Sequence, residues 1–199
     1  MNRKILALII FIVAIAGVYG LFYAAVTTVL MPQDLNTFKT ELDAMSQSSI
    51  TNDSSIAQTE SSAAIMESYS PLNGLSQSQR TEMANKMRIN NATIPHGVLN
   101  QNFNEYNTYN NYKAMAYFLI LKGDISSEIN NLSSTYEEVN QLGSQMVSLN
   151  QKMATDFENG NNKAYADDLR STATLTKQYN HKMVILKTQL QTLVNQLSS

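Results

Sequence analysis

The sequence predicts an all-α protein, with a single N-terminal transmembrane helix followed by an antiparallel bundle of long, amphipathic, coiled-coil-like helices in about four passes. Three observations support this fold class. Residues 5–31 form an uncharged apolar run. Beyond it, apolar residues recur at alternating steps of three and four, which is the spacing of a helical seam. Turn-forming residues then divide the rest into stretches of similar length, as in an up-down bundle.

The first element is the apolar run, which leaves residues 1–4 as a stub and residues 32–199 as the remainder. As a helix it would be about 40 Å long, against a hydrocarbon core of about 30 Å. Arg3 and Lys4 precede the run, whereas acidic residues outnumber basic ones beyond it. The positive-inside bias therefore predicts a signal anchor in the cell membrane, with the N-terminus cytoplasmic and the remainder extracytoplasmic.

A cleaved signal peptide is the alternative interpretation of this segment. Its elements are a positive start, an apolar stretch and the motif Ala14-Ile15-Ala16, which resembles a cleavage site. Against cleavage, the apolar run continues for fifteen residues past Ala16. The sequence favours an uncleaved anchor and leaves a secreted helical protein as the alternative.

Small residues recur every fourth position within the apolar run, at Ala16, Gly20 and Ala24. Such a ridge lets two membrane helices approach closely, although small residues are also common in membrane helices generally. Self-association through this ridge is a hypothesis from the sequence.

The next element is a helix over residues 32–70. Pro32 suits the first helical position, and Asp34 complements the positive end of the helix dipole. Residues 46–55 are rich in Ser, Asn and Asp, whose side chains compete for backbone hydrogen bonds, so the helix is weakest there. Pro71 ends it.

A broken helix pair is predicted over residues 76–122, with Met83 and Met87 of its first part facing inward. The final element is a helical hairpin over residues 124–197, reversing at residues 158–162 through Gly160 and its asparagine neighbours. The apolar seam of its last helix comprises Tyr165, Leu169, Thr172, Thr176, Tyr179, Met183, Leu186, Leu190, Leu193 and Leu197.

The chemistry-bearing residues predict no catalysis. The chain has no cysteine, and neither His96 nor His181 has a partner at metal-ligand spacing, so we expect no metal and no cofactor. The acidic pairs Glu137-Glu138 and Asp167-Asp168 point about 100° apart on a helix, which is typical of a solvated outer face rather than an acid–base couple.

Two groups of residues are candidates for contact or modification. The first is a tyrosine stripe that could meet a partner or close one end of the bundle: Tyr106, Tyr109 and Tyr112. The second is three sequons, whose acceptors are Asn52, Asn91 and Asn131. Because 71 of the 199 residues are Asn, Ser, Thr or Gln, chance matches to the sequon are expected.

The charge and composition narrow the function class. A net charge of −2 and a pI near 5.7 give no basic footprint for nucleic acid. The sequence therefore predicts a non-enzymatic, membrane-anchored helical-bundle protein that acts by contact with an unknown protein partner, self-association included. A ligand-binding sensor or accessory ectodomain is the alternative, and an enclosed cavity between the helices would favour it.

Overall fold

The computed structural model describes residues 3–47, 53–90 and 126–198. Within these three ranges the chain is helical apart from short turns and contains no strand, which confirms the predicted fold class. The predicted second half of the broken pair, the tyrosine stripe, His96 and the sequons at Asn52 and Asn91 lie outside the described residues.

The first helical unit runs without interruption from Arg3 to Gln47. It consists of α1 (Arg3–Ala25), a π-helical turn (Val26–Leu30) and α2 (Met31–Gln47). The backbone stays in the right-handed helical region at both ends of the π turn, at Ala25 and at Met31. Pro32 therefore lies inside a continuous helix rather than at the start of a new one, and its missing N–H leaves a carbonyl one turn earlier without a helical donor.

Helix α3 (Asp53–Tyr69) follows, and Pro71–Gly74 form one turn of 3-10 helix before α4 (Gln77–Asn90). Ser70 ends α3 in the left-handed conformation, with φ of 48°, and its N–H donates to the carbonyl of Met66. This is the αL helix stop, and Pro71 directly after it prevents the helix from resuming.

The longest pair is the hairpin of α5 (Ser126–Glu158) and α6 (Asn162–Ser198). Its reversal falls within the predicted turn. Gly160 has a φ of 70°, and the N–H of Asn161 donates to the carbonyl of Asp156 at 2.9 Å. Together with the bond from Gly160 N–H to the Phe157 carbonyl, this is a Schellman motif.

Helix α6 is the central element of the bundle. It packs along α5 over the length of the hairpin, and its other side receives α3 and α2 in succession, whereas α4 packs on α5. Ion pairs from Glu67 to Arg170 and from Glu60 to Lys177 show that α3 and α6 run antiparallel. The predicted seam of α6 faces this interior: seven of its ten members are buried, and Tyr165, Thr172 and Tyr179 are half-buried.

The bundle has two kinds of interior. What we call the leucine core joins α2, α5 and the last part of α6 through large side chains, including Phe38, Ile129, Leu132, Leu186, Leu190 and Leu193. What we call the alanine core joins α3, α4, α5 and the first part of α6 through Ala63, Ala84, Ala154 and Ala166, together with Leu72, Phe157 and Leu169.

Met83 is an exception to the predicted interior. The structure leaves it about half exposed on α4, whereas Met87 is half-buried and packs on the alanine core. The prediction that Met83 faces inward is therefore wrong. The buried side of α4 is centred on Ala84, one residue further along the helix and about 100° around it.

One helix in the described part of the chain is long and apolar enough to cross a membrane. It runs over Ile10–Asp43, its most apolar window has a mean hydropathy of 2.1, and only 6% of that window is buried. Every residue from Ile10 to Ala25 is exposed, and burial begins at Val26. A signal sequence would pass the same test of length and composition.

Candidate functional site: the polar cluster at the hairpin tip

The hairpin turn and the 3-10 turn meet at one end of the bundle, where a group of polar side chains links three segments. We call this group the tip cluster, and it comprises Arg80, Thr81, Arg88, Glu158 and Asn162. Asn162 begins α6 and joins the 3-10 turn. Its side-chain oxygen accepts a hydrogen bond from the Leu72 N–H at 3.0 Å, and its side-chain nitrogen donates to the side-chain oxygen of Asn73 at 3.0 Å.

Arg80 is the main donor of the tip cluster. Its Nη1 donates to the carbonyls of Leu75 at 2.7 Å and Leu72 at 3.2 Å, and its Nε donates to the carbonyl of Glu158 at 3.2 Å. One guanidinium thus satisfies carbonyl groups of the 3-10 segment and of the α5 C-terminus, where the last carbonyls lack helical partners.

Gly160 lies against this guanidinium. A Cβ built on Gly160 would lie 3.2 Å from the Arg80 Cζ, and the φ of 70° there is one that side chains rarely adopt. The turn therefore requires glycine for two reasons, its backbone conformation and the close approach of Arg80.

The Glu158 carboxylate receives two further donors from α4. Arg88 Nη2 lies 2.6 Å from Oε2, and the Thr81 hydroxyl donates to Oε1 at 3.1 Å. These hydrogen bonds, that from Arg88 above all, lower the pKa of Glu158 below its ordinary value of 4.5. The pairing fixes the orientation of α4 on the hairpin.

The start of α4 is fixed by a reciprocal capping box. The Ser76 N–H donates to the Gln79 side-chain oxygen at 2.9 Å, and the Gln79 N–H donates to the Ser76 hydroxyl at 3.3 Å. The motif is present in the sequence as Ser-x-x-Gln, and the helix that it caps begins at Gln77, one residue after the start of the predicted broken helix pair.

A second polar group lies on the α5–α6 interface. The Lys152 ammonium bridges Asp168, at 2.5 Å, and Asp156, at 2.9 Å. Asp168 is only 4% exposed, and one of its carboxylate oxygens has no hydrogen-bond partner. The prediction that both members of the Asp167-Asp168 pair lie on a solvated outer face is therefore wrong for Asp168, because α5 covers that side of α6.

Burial raises the pKa of Asp168 above its ordinary value of 3.8, although the hydrogen bond from Lys152 acts in the opposite direction. Tyr165, one turn earlier on the same helix, has its pKa raised from 10.0 by burial first and by the charge of Asp168 second. Its ring meets Phe157 edge to face, with centroids 5.2 Å apart. Asp168 thus lies at the border of the alanine core.

The other acidic pair, Glu137-Glu138, and His181 lie outside the buried interior. Glu137 is exposed on α5, and its neighbour Glu138 forms an ion pair with Lys182 of α6. His181 is exposed on α6, as its position outside the apolar seam predicts.

Of the predicted contact and modification residues, four belong to the described part of the chain, and the structure brings none of these four into the tip cluster. Ala16, Gly20 and Ala24 are exposed on α1, and a Cβ built on Gly20 meets nothing within 4 Å. Asn131 is exposed in the second turn of α5. These positions are open to contact.

An open depression of about 440 Å³ lies over α5 and α6 on the described surface and is lined by Leu149, Arg170, Ser171, Thr174, Leu175 and Gln178. It is a surface feature rather than an enclosed cavity, so it does not have the form expected of a ligand site inside the bundle.

Across residues 3–47, 53–90 and 126–198, no group of three or more His, Asp or Glu side chains is placed to hold a metal ion. Comparison of the chain with protein-family models, curated proteins and solved structures gave no match.

Proposed function

We propose that this protein is a single-pass membrane protein whose helical bundle lies outside the cytoplasm and acts by contact with a protein partner. One observation carries the proposal. The apolar helix is exposed on every side from Ile10 to Ala25, yet it continues without a break into α2, whose inner face belongs to the leucine core. An apolar helix that no other part of the protein covers is stable in lipid rather than in water.

The charge distribution supports the proposed orientation. The exposed apolar stretch is preceded by Arg3 and Lys4, and no charged residue occurs again before Asp34. Positive residues next to a span favour the cytoplasmic side. The bundle would then be built outside the cytoplasm, directly adjoining the membrane through α2.

The polar groups of the bundle support a contact role rather than a chemical one. The carboxylate of Glu158 and the guanidinium of Arg80 are occupied by hydrogen bonds that hold the tip together. By contrast, Ile65 and Tyr69 lie one turn apart on α3 with 51% and 79% of their surface exposed. Tyrosine with an isoleucine neighbour, held on a rigid helix end, is suited to a protein interface.

The membrane topology can be tested with single cysteines, because the natural chain has none. Thr174→Cys is exposed on α6, and Asn2→Cys lies in the predicted cytoplasmic stub. In intact cells a membrane-impermeant maleimide should label the first variant and should label the second only after permeabilisation. Labelling of Asn2→Cys alone in intact cells would show the opposite orientation and overturn the proposal.

The contact role can be tested by placing a photo-crosslinking amino acid at Tyr69 in the full chain. A matched variant carries it at Thr174, a polar position on α6 that is also exposed. We expect discrete crosslinked products at position 69 and none at position 174. The absence of products at position 69 would contradict a contact surface at this end of the bundle.

A further inference from the structure

The junction between the membrane helix and the bundle is a π-helical turn rather than an α-helical one. It covers Val26–Leu30, and the N–H of Met31 donates to the carbonyl of Val26, five residues earlier. A π turn accommodates one more residue than an α turn, and such turns occur mostly as single insertions at positions with a role.

We propose that this π turn is a rotational adapter. It determines how α1 is rotated about its own axis relative to the bundle, and therefore which face of α1 lies on the same side as the bundle. Two buried residues, Val26 and Phe38, are 5% and 0% exposed and belong to the same leucine core. Both must therefore point to the same side of the helix that joins them.

A continuous α-helix would not achieve this. Twelve residues separate Val26 from Phe38. At about 100° per residue they turn through about 1200°, which would leave Val26 about 120° away from the face of Phe38. The extra residue of the π turn removes about 100° of that rotation, so the two side chains come to lie about 20° apart.

Two threonines lie within the turn. The Thr28 hydroxyl donates to the carbonyl of Ala24 at 2.6 Å, and the Thr27 hydroxyl donates to the carbonyl of Tyr23 at 2.8 Å. Bonds of this kind, from a threonine to the carbonyl four residues earlier, often accompany a local bend of the helix.

The adapter also determines how the anchor is presented. The whole of α1 before Val26 is turned by about 100° relative to a continuous α-helix, and the exposed row of Ala16, Gly20 and Ala24 turns with it. The bundle and the anchor thus have a fixed angular relation with no flexible linker between them. This inference concerns the helix itself and does not depend on the orientation proposed for the membrane.

The test uses the full chain in lipid nanodiscs, with single cysteines carrying nitroxide spin labels. The accessibility of each label is the sum of its collision rates with oxygen, which partitions into lipid, and with a water-soluble nickel complex. Exposure to lipid and exposure to water are therefore both measured. With the π turn, a label at Val26→Cys should collide at least about threefold less than one at Val29→Cys, because Val29 is 62% exposed. A continuous α-helix instead makes Thr27→Cys the least accessible of the three, and that result would overturn the proposal.

Length variants provide the matched controls. Deleting Thr28 removes the extra residue, so the turn becomes α-helical and label 26 stays protected. Inserting alanine after Thr28 should expose label 26 at least about threefold, whereas inserting it after Val18, upstream of the turn, should leave label 26 unchanged. Protection of label 26 in the first insertion variant would also overturn the proposal.

Discussion

The two cores of the bundle are built on different principles, although the same helix, α6, contributes to both. The leucine core fills the space between helices with large aliphatic and aromatic side chains, among them Phe38, Leu186 and Leu190, each fully buried. The alanine core uses small side chains, such as Ala63 and Ala166, each 0% exposed. Small side chains let helices approach closely but bury less apolar area per residue.

Polar interactions occur in both halves. The tip cluster, the Lys152–Asp168 pair and the ion pairs from Glu60 and Glu67 to α6 adjoin the alanine core. The Glu138–Lys182 pair lies beside the leucine core, and Asp34 and Glu41 are buried on α2. The two halves therefore differ in the size of their buried side chains, since one depends on large apolar residues and the other on small residues that allow close packing.

The largest effect should come from the leucine core. Leu190→Ala removes a fully buried side chain and leaves a cavity, so we expect the free energy of unfolding to fall by about 3 kcal/mol. Urea unfolding of the full chain in detergent, followed by circular dichroism, measures it. Val184→Ala is the control, because Val184 is 52% exposed on the same helix. Equal losses in both variants would contradict the assigned core.

The alanine core should respond to added volume rather than to removed volume. Ala166→Leu inserts a large side chain between α6 and α3, and we expect a loss of about 2 kcal/mol from overpacking. Ala57→Leu, at an exposed position of α3, serves as the control. If Ala166→Leu left the melting curve unchanged or stabilised the protein, the helices would not approach closely there.

Disruption of the tip cluster should destabilise the segments around it before it destabilises the whole bundle. Arg80→Ala leaves the carbonyls of Leu72 and Leu75 without this donor, at a cost of about 1–2 kcal/mol. Hydrogen exchange should accelerate in residues 71–90 while the last part of α6 stays protected. Lys86→Ala, whose i,i+4 pair with Glu82 is largely exposed, should change exchange little. Uniform acceleration along the chain would contradict a local role for Arg80.

The pH dependence offers a smaller and more specific effect. Because burial raises the pKa of Asp168 above 3.8, the folded state keeps this proton to a higher pH than the unfolded state does. Its contribution to stability is therefore lost as the pH rises from about 3.8 through the raised pKa. Carbon-13 NMR of the carboxyl group should show this titration.

Two variants sharpen this test. Lys152→Met removes the ammonium that lowers the pKa of Asp168, so the titration should move still higher. Asp167→Asn changes the exposed neighbour and should leave the titration of Asp168 in place. A carboxyl group at position 168 that titrates at or below 3.8 would contradict its burial.

The smallest effect is expected for the ion pair from Lys177 to Glu60, with 2.7 Å between its atoms and both side chains about half exposed. A double-mutant cycle to alanine should give a coupling energy below about 1 kcal/mol, because solvent screens the pair. A coupling above about 2 kcal/mol would mean that the pair is better shielded than its exposure indicates.

The sequence predicts the leucine core well and the alanine core poorly. Met183, Leu186, Leu190 and Leu193 stand out at helical spacing and are all buried. An alanine seam gives no such contrast, since alanine is common on every helix face. The prediction that Met83 faces inward is wrong for this reason, since Ala84 occupies the buried position.

The tip cluster was missed for a different reason. It depends on contacts between residues far apart in the chain, such as Arg80 with the Glu158 carbonyl, which no local pattern contains. Only its local parts were predictable: the turn at Gly160 was predicted, and the Ser76–Gln79 capping box could have been. The burial of Asp168 likewise depends on a neighbouring helix, α5.

The central claim is that the apolar helix stays attached and anchors the bundle in a membrane. The most direct measurement is the intact mass of the C-terminally tagged protein from separated membrane and soluble fractions. We expect the protein to remain in the membrane fraction after carbonate extraction and to have its full-length mass, with or without attached sugars. A soluble product lacking the first sixteen or more residues would contradict it and would leave a secreted helical bundle.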